Sequence, residues 1–234
     1  MKLRHLWLVL LTVLLGISAY AADDAATNTV TEPVPSKNGT NVDEPAVPGP
    51  TFTNSVNMKL VQVPGGFWAG VYEVTQKEYT AIMGVNGSAF PGDSQPVENV
   101  CWNDAVEFCD KLTARDLKKK FLPKGFQYGL PTEDEWQSLV GDATLDNAVT
   151  SLGAVNRTQP SDVGSLAPNN LGLYDIRGNV MEFCMSDVSQ PFRFLKGGSW
   201  QDFVDVNLRP EFRWYCKPDE RQGTFGFRVI LKGP

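Results

Sequence analysis

The chain has 234 residues, 21 basic against 27 acidic, one histidine and a formal net charge of −6 at pH 7. An acidic balance without a basic stripe argues against nucleic-acid binding and against adhesion to anionic lipid. The sole histidine is His5, so Ser-His-Asp and Cys-His nucleophile systems, His-ligated zinc and two-His-one-carboxylate iron are excluded from everything downstream.

The first 21 residues read as a secretion signal. Lys2 and Arg4 form a positive n-region, Leu6 to Ser18 an apolar run, and Ala19-Tyr20-Ala21 a small-x-small cleavage site. The run is shorter than the roughly 20 residues a membrane-spanning helix needs, so no stable membrane insertion is expected after cleavage following Ala21. The first cysteine is Cys101, which argues against a lipid anchor at the cut. Losing Lys2 and Arg4 lowers the basic count from 21 to 19 against 27 acids, a net charge near −8. The expected destination is the periplasm or the exterior. Residues 22–55, rich in Ala, Asp, Thr, Asn, Pro and Gly, bury too little to offset their ordering entropy and read as a disordered linker. Aromatic and aliphatic residues gather from Val56 onward, so 56–234 is expected to be one domain.

The first strands are expected at Met58–Val63 and Phe67–Tyr72. Thr75-Gln76-Lys77-Glu78 is a capping box that opens a helix with Tyr79, Ile82 and Met83 on one face, closed by Gly84. Asn103 can cap a second helix with Ala105, Cys109 and Leu112 on its buried stripe. Thr132-Glu133-Asp134-Glu135 opens a third, its three acids set against the positive end of the helix dipole, with Trp136, Leu139 and Val140 apolar. Capping accounts for those acids without any catalytic role. Further strands are expected at Phe194–Lys196 and Phe225–Leu231, and glycine-rich coil fills the rest. The fold class is α+β, coil-rich and irregular, with a few short helices and short antiparallel strands.

Four cysteines remain: Cys101, Cys109, Cys184 and Cys216. None forms a C-x-x-C, and three pairings are possible. The expected one joins Cys184 to Cys216, where a staple would fasten irregular chain, with Cys109 left as a buried thiol. Trp68, Trp102, Trp136, Trp200 and Trp214 are expected in the core. Arg209, Arg213, Arg221 and Arg228 are expected to pair with acids such as Glu211 and Asp219.

In order, FWAGVYEVTQKEYTAIMG, QPVENVCWNDAVEFC, YGLPTEDEWQSLV, VGSLAPNNLGLYDIRGNVMEF, FLKGGSW and PDERQGTFGFRVI resemble the successive blocks of the formylglycine-generating, or sulfatase-modifying-factor, domain. The resemblance runs from about residue 58 to the C-terminus and implies an irregular fold related to C-type lectins. It implies different activities in different members. Some oxidise a sulfatase cysteine with two cysteines and copper held after the GGSW-like block; others use iron with a histidine-bearing domain, mature siderophores, or display variable binding surfaces.

Here the oxidase pattern breaks. Both thiol positions fall in Gln201-Asp202-Phe203-Val204-Asp205-Val206-Asn207, which contains no cysteine. Thiolate binds Cu(I) and exchanges with a substrate thiol; the hard oxygen donors of Gln, Asp and Asn do not replace it. Neither copper nor iron is expected. Met181 stands where the family has a groove tryptophan. Met181, Ser199, Trp200, Asp202 and Arg213 are the candidates to line what remains of the groove. The resemblance also implies a structural Ca²⁺ held by the Asp175 and Glu182 side chains and the Gly178 and Val180 carbonyls. Ca²⁺ favours oxygen donors in a loose sphere, which suits that loop. A second calcium site of the family has no counterpart in GDATLDNAVTSLGAVN. The reading is an exported, non-oxidase binding or accessory module whose partner is a secreted protein or small ligand. The alternative is a formylglycine-type oxidase or another maturation enzyme.

Overall fold

The computed structural model describes residues 44–154 and 156–234. The expected signal segment and residues 22–43 of the expected linker lie outside the described residues. Local chemistry sets the helices. In α1 (Gln76–Met83) the Thr75 N–H donates to Glu78 Oε2 at 2.8 Å, the Thr75 hydroxyl accepts from Glu78 N at 3.3 Å, and Gly84, at φ 78°, ends the helix. The second helix, α2 (Trp102–Lys118), starts ahead of the expected cap: Cys101, not Asn103, is its N-cap. The Asp104 carboxylate three residues on takes the Cys101 N–H at 3.0 Å, which fixes the earlier start. Thr132 and Glu135 open α3 (Glu133–Leu139) by the expected reciprocal bonds.

One sheet holds β1 (Thr51–Thr53), β2 (Lys59–Val63), β3 (Phe67–Gly70), β9 (Ile230–Lys232) and β4 (Gln127–Gly129), in that order and antiparallel throughout. The other runs β7 (Trp214–Cys216), β6 (Arg193–Lys196), β5 (Met181–Phe183), β8 (Phe225–Gly226); its β5–β8 pair is parallel and the rest antiparallel. The strands expected at Met58–Val63, Phe67–Tyr72 and Phe194–Lys196 are found within two residues at each end, and two readings change by more. Thr51–Thr53 pair with Lys59–Val61, and the Gly49 carbonyl accepts the Trp68 indole N–H at 2.7 Å, so residues 49–53 of the stretch assigned to linker belong to the folded domain. The single strand expected at Phe225–Leu231 is two strands in two sheets: β8 pairs with β5 and β9 with β3 and β4, and between them the Phe227 carbonyl leaves the ladders to accept the Val74 N–H at 2.9 Å.

Tyr79 of α1 stacks on Phe108 of α2 at 5.7 Å, and Phe227 meets both rings edge-on. That cluster and a second around Trp136, Leu139, Phe67 and Ile176 form the core. Trp68, Trp102, Trp136 and Trp200 are buried as expected, but Trp214 is 37% exposed because β7 is a sheet edge.

Candidate functional site

The chain that links β8 to β9 turns Arg228 inward, where it binds Glu182 and feels the charges of Glu73 and Asp175. Its Nε and Nη2 donate to Glu182 Oε1 at 2.9 and 2.7 Å, Nη1 to the Gly70 carbonyl at 2.8 Å, and Nη2 also to the Tyr174 carbonyl at 2.7 Å. The other Glu182 oxygen accepts the Trp136 indole N–H at 2.8 Å. Glu73, just after β3, accepts the Val180 N–H at 3.0 Å and the Asn179 amide at 2.6 Å. Asp175 accepts the Gly164 N–H at 2.7 Å through Oδ2, while its buried Oδ1 has no partner.

Glu73, Asp175 and Glu182 are therefore three buried carboxylates around one guanidinium. Burial pushes the Glu73 carboxyl well up, and the charges of Asp175 and Glu182 push it further; Arg228 and the Val180 N–H oppose them. Burial likewise raises Asp175, opposed by the Gly164 N–H and Arg228 and reinforced by Glu182.

This centre fits a hard cation at Asp175, whose orphaned buried oxygen is what a Ca²⁺ ion would satisfy. Glu182 fits less freely, since both its oxygens are already engaged by Arg228 and Trp136. Among the described residues no three His, Cys, Asp or Glu side chains converge on a metal position by themselves, so backbone carbonyls such as those of Gly178 and Val180 would complete the sphere. Gly178, at φ 86°, runs so close to its neighbour that a Cβ would sit 2.5 Å from the Val149 carbonyl oxygen. Only glycine permits that approach.

The loop after β6 is a separate, sealed arrangement. Asp202 Oδ2 accepts both the N–H and the hydroxyl of Ser199 at 2.8 Å, and Asp202 Oδ1 accepts the Asn207 amide at 2.8 Å. Trp200 donates from its indole to the Gly223 carbonyl at 3.0 Å and packs edge-on to Phe90 at 5.4 Å. The Met181 N–H reaches the adjacent Thr224 carbonyl at 2.8 Å. Met181, Ser199, Trp200 and Asp202 thus come together, with polar groups turned on each other. Arg213 does not join them. It forms a bidentate ion pair with Glu133, which also takes buried Lys196 at 3.1 Å, and lies over the Phe194 ring at 5.5 Å. There it borders an apolar groove of about 320 Å³ with Phe192, Phe194 and Tyr215.

The arginines pair with other acids than expected: Arg209 with Asp205, Arg213 with Glu133, Arg221 with Asp104 and Arg228 with Glu182. All four cysteines are buried free thiols. The expected Cys184–Cys216 bridge is not formed, and the sheet order forbids it. Cys184 faces Phe194 on one side of β6, and Cys216 faces Arg193 on the other. Two strand spacings of about 4.8 Å separate them, beyond the roughly 7 Å limit for a disulfide. Burial raises the Cys109, Cys184 and Cys216 thiols, the last to about 12, so none is a ready nucleophile. Glu73 and Asn179 were not singled out from sequence; the signal available for Glu73 was a lone acid inside the otherwise uncharged run GVYEV.

The chain matches the family described as "Sulfatase-modifying factor enzyme 1-like domain" over residues 23–232. It is 29% identical over 202 residues to the chaperone protein LppX of Paenibacillus barcinonensis, covering 60% of this chain and 71% of that one. It is 30% identical over 164 residues to the inactive C-alpha-formylglycine-generating enzyme 2 of Mus musculus, covering 57% of this chain and 48% of that protein, so it spans about half that relative's length. Among solved structures, Treponema denticola variable protein 1 superposes with a TM-score of 0.61 at 25% identity, covering 80% of this chain and 92% of that one. With its blocks in order, its lectin-like α+β architecture and this match across most of its length, the chain belongs to the sulfatase-modifying-factor domain family.

Proposed function

We propose that this protein is an exported binding or accessory module of that family, without oxidase activity, and that calcium stabilises it. One observation carries the reading. Where the resemblance puts the copper-binding thiol pair, Asp202 is hydrogen-bonded to Ser199 and Asn207, and the chain from Gly197 to Tyr215 contains no cysteine. An aspartate flanked by an amide and a hydroxyl offers Cu(I) no soft donor and a substrate thiol no partner for exchange. Similarity to a protein named a chaperone and to one named inactive fits a role in binding. The partner class is a secreted protein or a small ligand, and the setting is the periplasm or the exterior, reached through cleavage after Ala21. Among the described residues no helix is long and apolar enough to cross a membrane. Calcium would be held by Asp175 with the Gly178 and Val180 carbonyls and a shared Glu182; bound there, it supplies positive charge that Arg228 alone does not.

The test is direct. Purified protein given Cu(I), oxygen and a peptide with a Cys-x-Pro-x-Arg core should return the peptide unchanged in mass. Conversion of the thiol to an aldehyde would overturn the non-oxidase reading and restore the enzyme.

A further inference from the structure

The start of α2 and the chain just after β7 run side by side. The Asn99 N–H donates to the Gln222 carbonyl at 2.9 Å, and the Asn103 N–H meets the Pro218 carbonyl at 3.4 Å. Arg221 closes the same seam by its ion pair with Asp104. Cys101 stands at the head of that helix, and Cys216 ends β7 where the seam begins. Their neighbours touch as well. The Trp102 ring carries the Arg193 guanidinium at 4.7 Å, and Arg193 is the residue that faces Cys216 across the β6–β7 register.

We propose that Cys101 and Cys216 are joined in a disulfide when the chain folds in the presence of a disulfide oxidant, which makes this seam a modification site of the domain. Both thiols are buried, at 3% and 2% exposure, so the bond would form as the chain folds. The other two cysteines are held away. Cys109 lies about two turns along α2 from Cys101, roughly 12 Å at 1.5 Å per residue. Cys184 is beyond β6 from Cys216, and its carbonyl accepts the far end of the Trp102 indole at 2.9 Å, so the length of that ring separates it from the helix start. Charge on a Cys101 thiolate would raise the Cys216 thiol, which fits their proximity.

The chemistry balances with an oxidant of the glutathione-disulfide class. One protein thiol loses its proton and attacks the oxidant's S–S bond, releasing one thiol and leaving a mixed disulfide. The second protein thiolate displaces the remaining half, so the protein bond forms and two electrons leave on two reduced thiols. The setting rests on the export proposed above, and the test is run in vitro so that the two fail separately.

The full chain is unfolded, refolded with oxidised and reduced glutathione, alkylated, and mapped by mass spectrometry without reduction. The expected result is one cross-linked peptide joining Cys101 to Cys216, with Cys109 and Cys184 alkylated. The bond closes a loop of about 115 residues, so the melting temperature of the oxidised protein should exceed that of the reduced protein by roughly 10 °C. C101S should abolish the cross-link and the shift, and C109S should keep both. If C101S does not fold, the wild-type map still decides. Four alkylated thiols, or a bond to Cys109 or Cys184, would overturn the proposal. An intact Met1 on protein recovered from cells would sink the export reading and leave this map untouched.

Discussion

Two arginines of the C-terminal block make opposite use of the same chemistry. Arg228 is sealed in the core with Glu182, at 0% and 1% side-chain exposure, whereas Arg221 holds Asp104 at the surface, at 46% and 17%. Around Arg228 three carboxyl groups gather against one guanidinium, and burial both strengthens their interactions and pushes Glu73 and Asp175 toward the neutral form. Around Arg221 the charges balance one to one and water shares the load. The first arrangement ties Glu182, Gly70 and Tyr174 together in the core; the second ties two segments and little more.

Breaking the sealed pair tests the comparison hardest. Arg228→Met leaves Glu182 buried without its cation and strips donors from the Gly70 and Tyr174 carbonyls. Removing one partner of a buried pair costs about 3–5 kcal/mol, which in a domain of this size lowers Tm by roughly 10 °C. Thermal unfolding followed by circular dichroism reads this. Adding Glu182→Gln to Arg228→Met should restore part of the loss, since the stranded charge is then gone. A single variant within about 1 kcal/mol of wild type would contradict the sealed reading.

Calcium sharpens the same contrast at somewhat smaller scale. A native-state ligand at 100 times its Kd stabilises by about 2.7 kcal/mol, or several degrees of Tm. EDTA should remove that shift, and calcium should restore it better than magnesium, which requires a tighter octahedron. Asp175→Asn, aimed at the carboxylate with the unpartnered oxygen, should abolish most of it. Superimposable melting curves in EDTA and in excess calcium would show that protein contacts alone hold the loop.

What could be read from the chain divides along contact range. The capping boxes Thr75/Glu78 and Thr132/Glu135 were legible because donor and acceptor lie three residues apart. The loss of the thiol pair after Gly198 was legible because it needs only a local absence. The Asp202 bonds to Ser199 and Asn207 that fill the space are equally local, but periodicity and caps do not reveal them. The Arg228 centre joins residues such as Gly70 and Arg228, 158 positions apart, and no local rule pairs them. Nearby acids such as Glu211 and Asp219 were therefore the wrong partners. The cysteines failed for a related reason. A staple between Cys184 and Cys216 was expected where it would fasten irregular chain, but Cys216 ends β7 and β6 lies between it and Cys184. Trp214 was misplaced because a tryptophan on a sheet edge reads like one in the core until the strand order is known.

The smallest expected effect belongs to the surface pair. Burial alone would push the Asp104 carboxyl up, but the Arg221 guanidinium and the Cys101 N–H and thiol outweigh it and hold it below its ordinary value of 3.8. A carboxyl depressed on folding contributes stability that is present above its unfolded pKa and is lost as pH falls through its folded one. Asp104→Asn keeps an oxygen for the Cys101 N–H while deleting the charge that Arg221 meets, so it should cost about 0.5 kcal/mol, within the 0.2–1 kcal/mol typical of exposed pairs. That cost should be constant between pH 7 and pH 5, shrink below about pH 4, and fall at 1 M NaCl, where the Debye length is about 3 Å. Paired melting curves for wild type and variant across pH and salt would read it. A cost above about 2 kcal/mol, or one indifferent to salt, would move Arg221 into the same class as Arg228 and remove the distinction between the two regions.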